Sequence, residues 1–243
     1  MPTDPSQLDC DSLQRAQAIA ATMPFADVEP VELGPSCTTS YSWVMADETW
    51  EALRGTPPSE VRRRVAAVSE TLGPRFVKEA RGAWRYEFNQ GIGQWAVWYF
   101  TPDRQVLLLT YEGLADTTPS SDDYPTMEMF YRDVPDDLVA LVRNDDELCT
   151  TVINKESGET LHWASSVFWC DGSTWWISEG FLDFCEEEGY DPLVNSCFQD
   201  PLFPYAFGRE LTAESVARLS ANEDDEWFGD VVAEVRERLQ RQY

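Results

Sequence analysis

A single histidine, His162, limits the acid–base chemistry open to this chain. One imidazole cannot build a two-histidine metal site or a histidine relay, although a Cys–His or Ser–His pair needs only one. Cys149, Cys170, Cys185, Cys197, Ser165 and Ser166 are partners on paper. His162 stands beside Trp163 in an apolar run that reads as mid-strand, and this favours a core imidazole over a reactive one. The chain has no GxSxG, HExxH, P-loop or GxGxxG, and Gly91-Ile92-Gly93 reads as a hairpin turn. No catalytic residue, metal ligand or cofactor is expected from these residues.

Carboxylates are the other abundant reactive groups. They cluster at Asp122-Asp123, Asp136-Asp137, Asp145-Asp146-Glu147, Glu186-Glu187-Glu188 and Glu223 to Glu226. None has the alternating ligands and central glycine of an EF-hand loop, so loosely held counterions are expected there. Forty-four acidic residues against eighteen Lys+Arg give a net charge of -26 and a pI near 4.1. A surface of that sign repels a phosphate backbone and an anionic membrane, and it favours a basic protein or a salt-rich solvent. Aromatics make up 13% of the chain, too many for a disordered acidic tail, so the charge belongs to a folded surface. Arg62, Arg63 and Arg64 form the one dense basic run, which reads as a helix face paired with nearby carboxylates.

Trp163, Trp169, Trp175 and Trp176 crowd the segment before Phe181-Leu182-Asp183-Phe184. Core packing of a hairpin accounts for most of them. Any that reach the surface would suit a protein interface, where Trp and Tyr are favoured. The candidate partner-binding set is therefore Asp122, Asp123, Asp145, Asp146, Glu186, Glu187 and Glu188, with Trp175 and Trp176 as aromatic anchors. In size and acidity, though on no motif, the chain resembles immunity proteins that neutralise toxins and DNA-mimic inhibitors. That analogy implies an acidic, non-catalytic inhibitor of a basic protein such as a toxin or nuclease. The alternative is a cytosolic enzyme or small-molecule binder of a salt-adapted organism, its acidity a solvation feature.

These residues must be positioned by an α+β fold. Helices are expected over 6–23, 48–54 and 57–72, with Thr56 and Pro57 starting the last of these. Strands at 76–80, 83–89, 94–101 and 105–112 read as an antiparallel meander. Both faces of 95–100 and 106–109 are apolar, so layers should cover the sheet on both sides and make it the centre of the fold. Residues 113–126 read as a loop, a weak subdivision at most, within a single domain. A helix from Pro135 to Val142, strands at 148–153, 160–168 and 174–178, and a helix over 179–189 follow. The recurring order of one helix and then strands raises a duplicated α-βββ unit. Two helices close the chain, the first capped by Thr212. The start lacks the pattern of a secretory signal, no run approaches the ~18 apolar residues of a membrane helix, and the six cysteines lack CxxC spacing. These features point to the cytoplasm and to reduced, mostly buried thiols.

Overall fold

A computed structural model describes residues 40–73, 76–89, 93–145 and 150–241. All of them fall in a compact unit spanning residues 37–243. The helix expected over 6–23, the irregular stretch up to residue 39, the Gly91-Ile92 part of the turn and Asp146 lie outside the described residues.

The meander forms as its alternation dictates. Strands β1 (Val77–Ala80), β2 (Ala83–Asn89), β3 (Gln94–Phe100) and β4 (Val106–Glu112) pair antiparallel in chain order. The sheet is completed by β7 (Ser166–Cys170) beside β4 and β8 (Trp175–Ile177) at the far edge. Between β4 and β7 the chain inserts α3 (Tyr124–Phe130), α4 (Asp136–Val142) and a separate hairpin of β5 (Thr151–Ile153) and β6 (Thr160–His162). The single strand expected over 160–168 is thus broken at Trp163–Ser165, and its two parts join different sheets. The second group of strands therefore does not repeat the arrangement of the first.

Tyr86, Phe88, Trp98, Phe100, Leu108 and Phe168 point to one face of the sheet. Their core also takes residues from α1 (Ser40–Gly55), α2 (Pro58–Leu72), α6 (Gln199–Leu202), the following 3-10 turn Phe203–Tyr205, α7 (Ala213–Ala217) and α8 (Phe228–Arg238). Val97, Tyr99, Leu107, Leu109, Tyr111 and Val167 point the other way, onto α3, α4, the β5–β6 hairpin and α5 (Glu179–Glu188). Strands apolar on both faces thus sit between two covering layers. α1 begins eight residues earlier than the Glu48 expected, at Ser40, and buries Ala46 and Leu53 along one stripe. Residues 113–126 lie inside the unit, and Pro125 stands in the first turn of α3 instead of ending an element.

The arginine run on α2 ties together segments of one covering layer. Arg63 and Arg64 both pair with Glu60. Arg63 also donates to the Leu239 carbonyl at 2.5 Å, and Arg64 to that of Ala206 at 2.7 Å, so α2 is tied to the C-terminal segments. Arg62 lies over the Phe100 ring at 5.9 Å.

Candidate functional site

The far edge of the sheet and the helix that follows it bring an exposed aromatic residue close in sequence to unpaired carboxylates. β8 leads directly into α5 through Ser178, whose Oγ accepts from Phe181 N at 3.2 Å and donates to the Phe130 carbonyl at 2.5 Å. Gly180 is in close approach to α3: a Cβ there would stand 1.8 Å from the Met129 carbonyl oxygen. Phe181 and Phe184 each meet the Phe130 ring at 5.0 Å, and Arg132 pairs with Asp183. These contacts fix the rotation of α5. Gly180, Phe181 and Cys185 turn inward, while Glu179, Leu182, Asp183, Glu186, Glu187 and Glu188 face solvent.

Trp176 is 47% exposed on β8 and lies 6.0 Å from the Trp169 ring in a stacked arrangement. Its register partner Trp169 packs on the same core as α5, so Trp176 and α5 are on one side of the sheet. Leu182 adds a second apolar group, 37% exposed. Glu186, Glu187 and Glu188 occupy the last turn of α5, before the left-handed Gly189. Carboxylates at that end oppose the helix dipole, and no cation among the described residues pairs with them. The fold gains nothing from their placement.

The other residues singled out in the sequence lie apart from this edge. Trp175 is 4% exposed and packs edge-on to Trp98 at 6.3 Å in the opposite core, so it is not available as an anchor. Asp145 is 8% exposed and pairs with Arg85 at 3.1 Å, which removes it from any docking surface. Asp123 caps α3, accepting from Thr126 N at 3.2 Å and from its hydroxyl at 2.7 Å. Asp122 accepts from Ser120 at 2.6 Å and pairs with Lys155 at 3.2 Å, and these two contacts hold its carboxyl below the usual range.

The lone imidazole is sealed. His162 is 1% exposed, with Nδ1 2.8 Å from the Thr150 carbonyl and Nε2 buried without a hydrogen-bond partner among the described residues. The Nδ1 contact requires N–H at that atom, so the ring is the Nδ1-protonated tautomer. Burial first, and the Arg85 charge besides, lower its pKa to about 4 despite the Thr150 bond. A neutral imidazole shut off from solvent cannot shuttle protons to a substrate. Ser165 is equally occupied: its Oγ accepts from Glu112 N at 2.9 Å and meets the Thr118 hydroxyl at 2.6 Å. Cys170 and Cys185 are free and buried, and burial pushes the Cys185 thiol up to about 12, which keeps it protonated. Cys197 is disulfide-bonded, a departure from the expectation of reduced thiols. Spacing along the chain carries no sign of such a bond, because bridging depends on tertiary approach. No group of three or more His, Cys, Asp and Glu among the described residues is placed to hold a metal ion.

The chain matches no protein-family model, no curated protein and no solved structure.

The site must therefore be judged on charge and exposure. Cations are largely consumed inside the molecule. Arg54 pairs with Glu51, Arg143 with Glu159, Arg218 with Glu223, Arg236 with Glu214, and Arg238 and Arg241 with Glu70. Arg81 caps the end of α4, donating to the carbonyls of Ala140, Arg143 and Asn144. Exposed carboxylates without a cation partner among the described residues remain on both covering layers, including Asp47, Glu48, Asp230 and Glu237 on one and Asp136, Asp137 and Glu186 to Glu188 on the other. The α5 edge adds to this general negativity two exposed apolar side chains. The sequence marks Trp176 and Glu186 to Glu188, with Trp169 and Leu182 in the aromatic segments beside them, but Glu179 is not singled out. The spacing of Glu179, Leu182 and Glu186 along one stripe, opposite Phe181 and Cys185, was the available signal.

Proposed function

We propose that this chain is a non-catalytic binding protein that docks a basic protein partner through α5 and the β8 edge. The observation that carries the reading is the combination at that edge of exposed Trp176 and Leu182 with Glu179 and Glu186 to Glu188, none of which has a cation partner among the described residues. Carboxylates of this kind steer a basic partner in, and a partly exposed tryptophan offers a contact that slows its departure. An immunity-type or DNA-mimic inhibitor of a toxin or nuclease fits these requirements, and it would act in the cytoplasm without binding nucleic acid directly. The disulfide at Cys197 is the feature least at home in a reducing compartment. Co-purification from the native host with the wild-type chain and with a Trp176→Ala/Glu187→Lys variant tests the reading. A basic protein retained by the first and lost by the second supports it, and equal retention by both refutes the assignment to this edge.

A second reading has one observation in its favour. Unpaired carboxylates stand on both covering layers, as solvation in high salt would require, whereas a mimic needs them on one face. Thermal melting in dilute and in molar potassium chloride separates the two. A large gain in Tm with salt, beyond what screening gives other acidic proteins, would favour salt adaptation.

A further inference from the structure

On the opposite side of the sheet, α1 and the segment through α6 and the 3-10 turn enclose a cleft of about 840 Å³. Glu48 and Glu51 reach it from α1, and Asp200 from α6. Leu202, Phe203 and Phe207 supply apolar walls. Gly208, with φ +76, closes the backbone against α1, where an added Cβ would stand 3.3 Å from the Ala52 Cβ. Such a lining is both negative and apolar.

Two details point to the kind of ligand. Asp200 is half-buried and no cation among the described residues pairs with it. Glu112 on β4 is buried, its Oε1 accepting from Leu114 N at 3.1 Å and its Oε2 lacking a hydrogen-bond partner among the described residues, and after burial its charge is the next cause that raises the Asp200 pKa. A half-buried carboxylate that lines a cleft and has no cation partner among the described residues gains from a cation brought in front of it. The second detail is Phe203, 60% exposed, whose ring already carries a guanidinium: Arg209 lies over it at 4.3 Å and donates to its carbonyl at 3.2 Å. Among the described residues the lining holds one cation, Arg209, against Glu48, Glu51 and Asp200, of which only Glu51 has a cation partner, Arg54 at 2.9 Å.

We infer that this cleft binds an alkylguanidinium, the head group and stem of an arginine side chain, with Asp200 and Glu48 holding the head and Phe203, Phe207 and Leu202 packing the stem. Guanidinium suits the site better than ammonium because it is flat, stacks on aromatic rings and sheds water more easily. The inference does not depend on docking at α5, because cleft and α5 belong to opposite layers.

The test is a titration of the full chain with agmatine, with a short arginine-containing peptide, with 1,4-diaminobutane and with a neutral alkylurea of the same length, followed by amide chemical shifts and by calorimetry. The expected result is saturable binding of agmatine or the peptide, with shifts centred on residues 48–51 and 199–209. Diaminobutane should bind several-fold more weakly and the urea not at all. Asp200→Asn should weaken agmatine roughly tenfold or more, and Phe203→Ala several-fold, while Glu237→Gln on α8 should leave it unchanged. Peptide binding without agmatine binding would identify a protein-borne arginine as the source, and the reverse a free cation. Absence of saturable binding by both overturns the inference. So does equal binding by Asp200→Asn or by the urea, or an equal loss in Glu237→Gln, which would mark general attraction to the acidic surface.

Discussion

The two faces of the central sheet solve the problem of burial differently. On the first, Trp98 is fully buried among Phe100 at 6.2 Å, Tyr205 at 5.3 Å and Phe207 at 6.1 Å, and aromatic area holds the layer on. On the second, Arg85 is buried opposite Tyr99, held by Glu87 at 2.8 Å and Asp145 at 3.1 Å, with His162 near enough to feel its charge. Burial alone would lower the Arg85 pKa, and Glu87, Tyr99 and Asp145 more than reverse it, so the guanidinium stays charged. The core of the first face is held by contact area, with its titrating pairs outside it on α2, where hydrogen bonds from Arg63 and Arg64 hold the Glu60 carboxyl below the usual range. The other buries titratable groups inside the core: burial lowers the His162 pKa, which costs stability as pH falls, and raises that of Glu87, which works in the opposite direction.

The largest effects follow from breaking each face at its centre. Trp98→Ala should cost about 3–5 kcal/mol at any pH where the chain folds. Arg85→Met should cost a similar ~3–5 kcal/mol at pH 7, because Asp145 and Glu87 lose their counter-charge. That cost should shrink as the stranded carboxylates take up protons. Urea denaturation at pH 7 and pH 4.5 checks the contrast, and an Arg85→Met penalty that stays constant with pH would remove the distinction between the faces.

His162 sharpens the same comparison. Its folded-state pKa of about 4 lies below the ordinary 6.5, so the unfolded chain binds the proton first as pH falls. The stabilisation of the neutral ring is present above pH 6.5 and is lost progressively down to pH 4. At ~1.4 kcal/mol per pH unit the loss is about 3 kcal/mol. Acid also relieves the repulsion of a chain with net charge -26, which acts in the other direction. The difference between wild type and His162→Leu, measured at each pH, isolates the imidazole. Parallel stability curves for the two proteins would show that the ring contributes nothing.

Gly180 tests how α5 is held on the second face. Alanine would place Cβ 1.8 Å from a backbone oxygen of α3, which cannot rotate away. Displacing α5 should cost about 1–3 kcal/mol, as overpacking does elsewhere, and should disturb the exposed stripe. A Gly180→Ala chain with unchanged stability and unchanged Phe130–Phe181 contact would mean that α5 is free to slide.

The sheet was legible from sequence because each strand is short, apolar on both faces and bounded by turn residues. β2 runs over Ala83–Asn89 as read, and β3 and β4 end within a residue of expectation. The split of 160–168 was not legible: Trp163-Ala164-Ser165 carries no breaker, and the division comes from Tyr131 donating to the His162 carbonyl at 2.8 Å and Ser165 N to the Thr110 carbonyl at 2.8 Å. Both are contacts between residues more than thirty apart. The site was half legible for the same reason. Charge and tryptophan content marked Trp176 and Glu186 to Glu188, but neighbouring Trp175 differs from Trp176 only in the side of the sheet it faces, and register decides that. Asp145 looked like the surface aspartates until Arg85, sixty residues away, claimed it.

The smallest effect separates binding from folding at α5. Glu186→Lys or Glu187→Lys puts a cation where the helix dipole favours one and should stabilise the chain by ~0.3–1 kcal/mol at low salt. The same change reverses charge within the proposed docking surface and should slow association with a basic partner, most strongly at low ionic strength. A residue kept for stability would not behave this way, since its replacement would cost the fold something. Thermal melts paired with association rates across a salt series read both quantities. Higher stability with a lower on-rate is the expected pair, and a substitution that raised stability while leaving the on-rate untouched would place the docking surface elsewhere on the molecule.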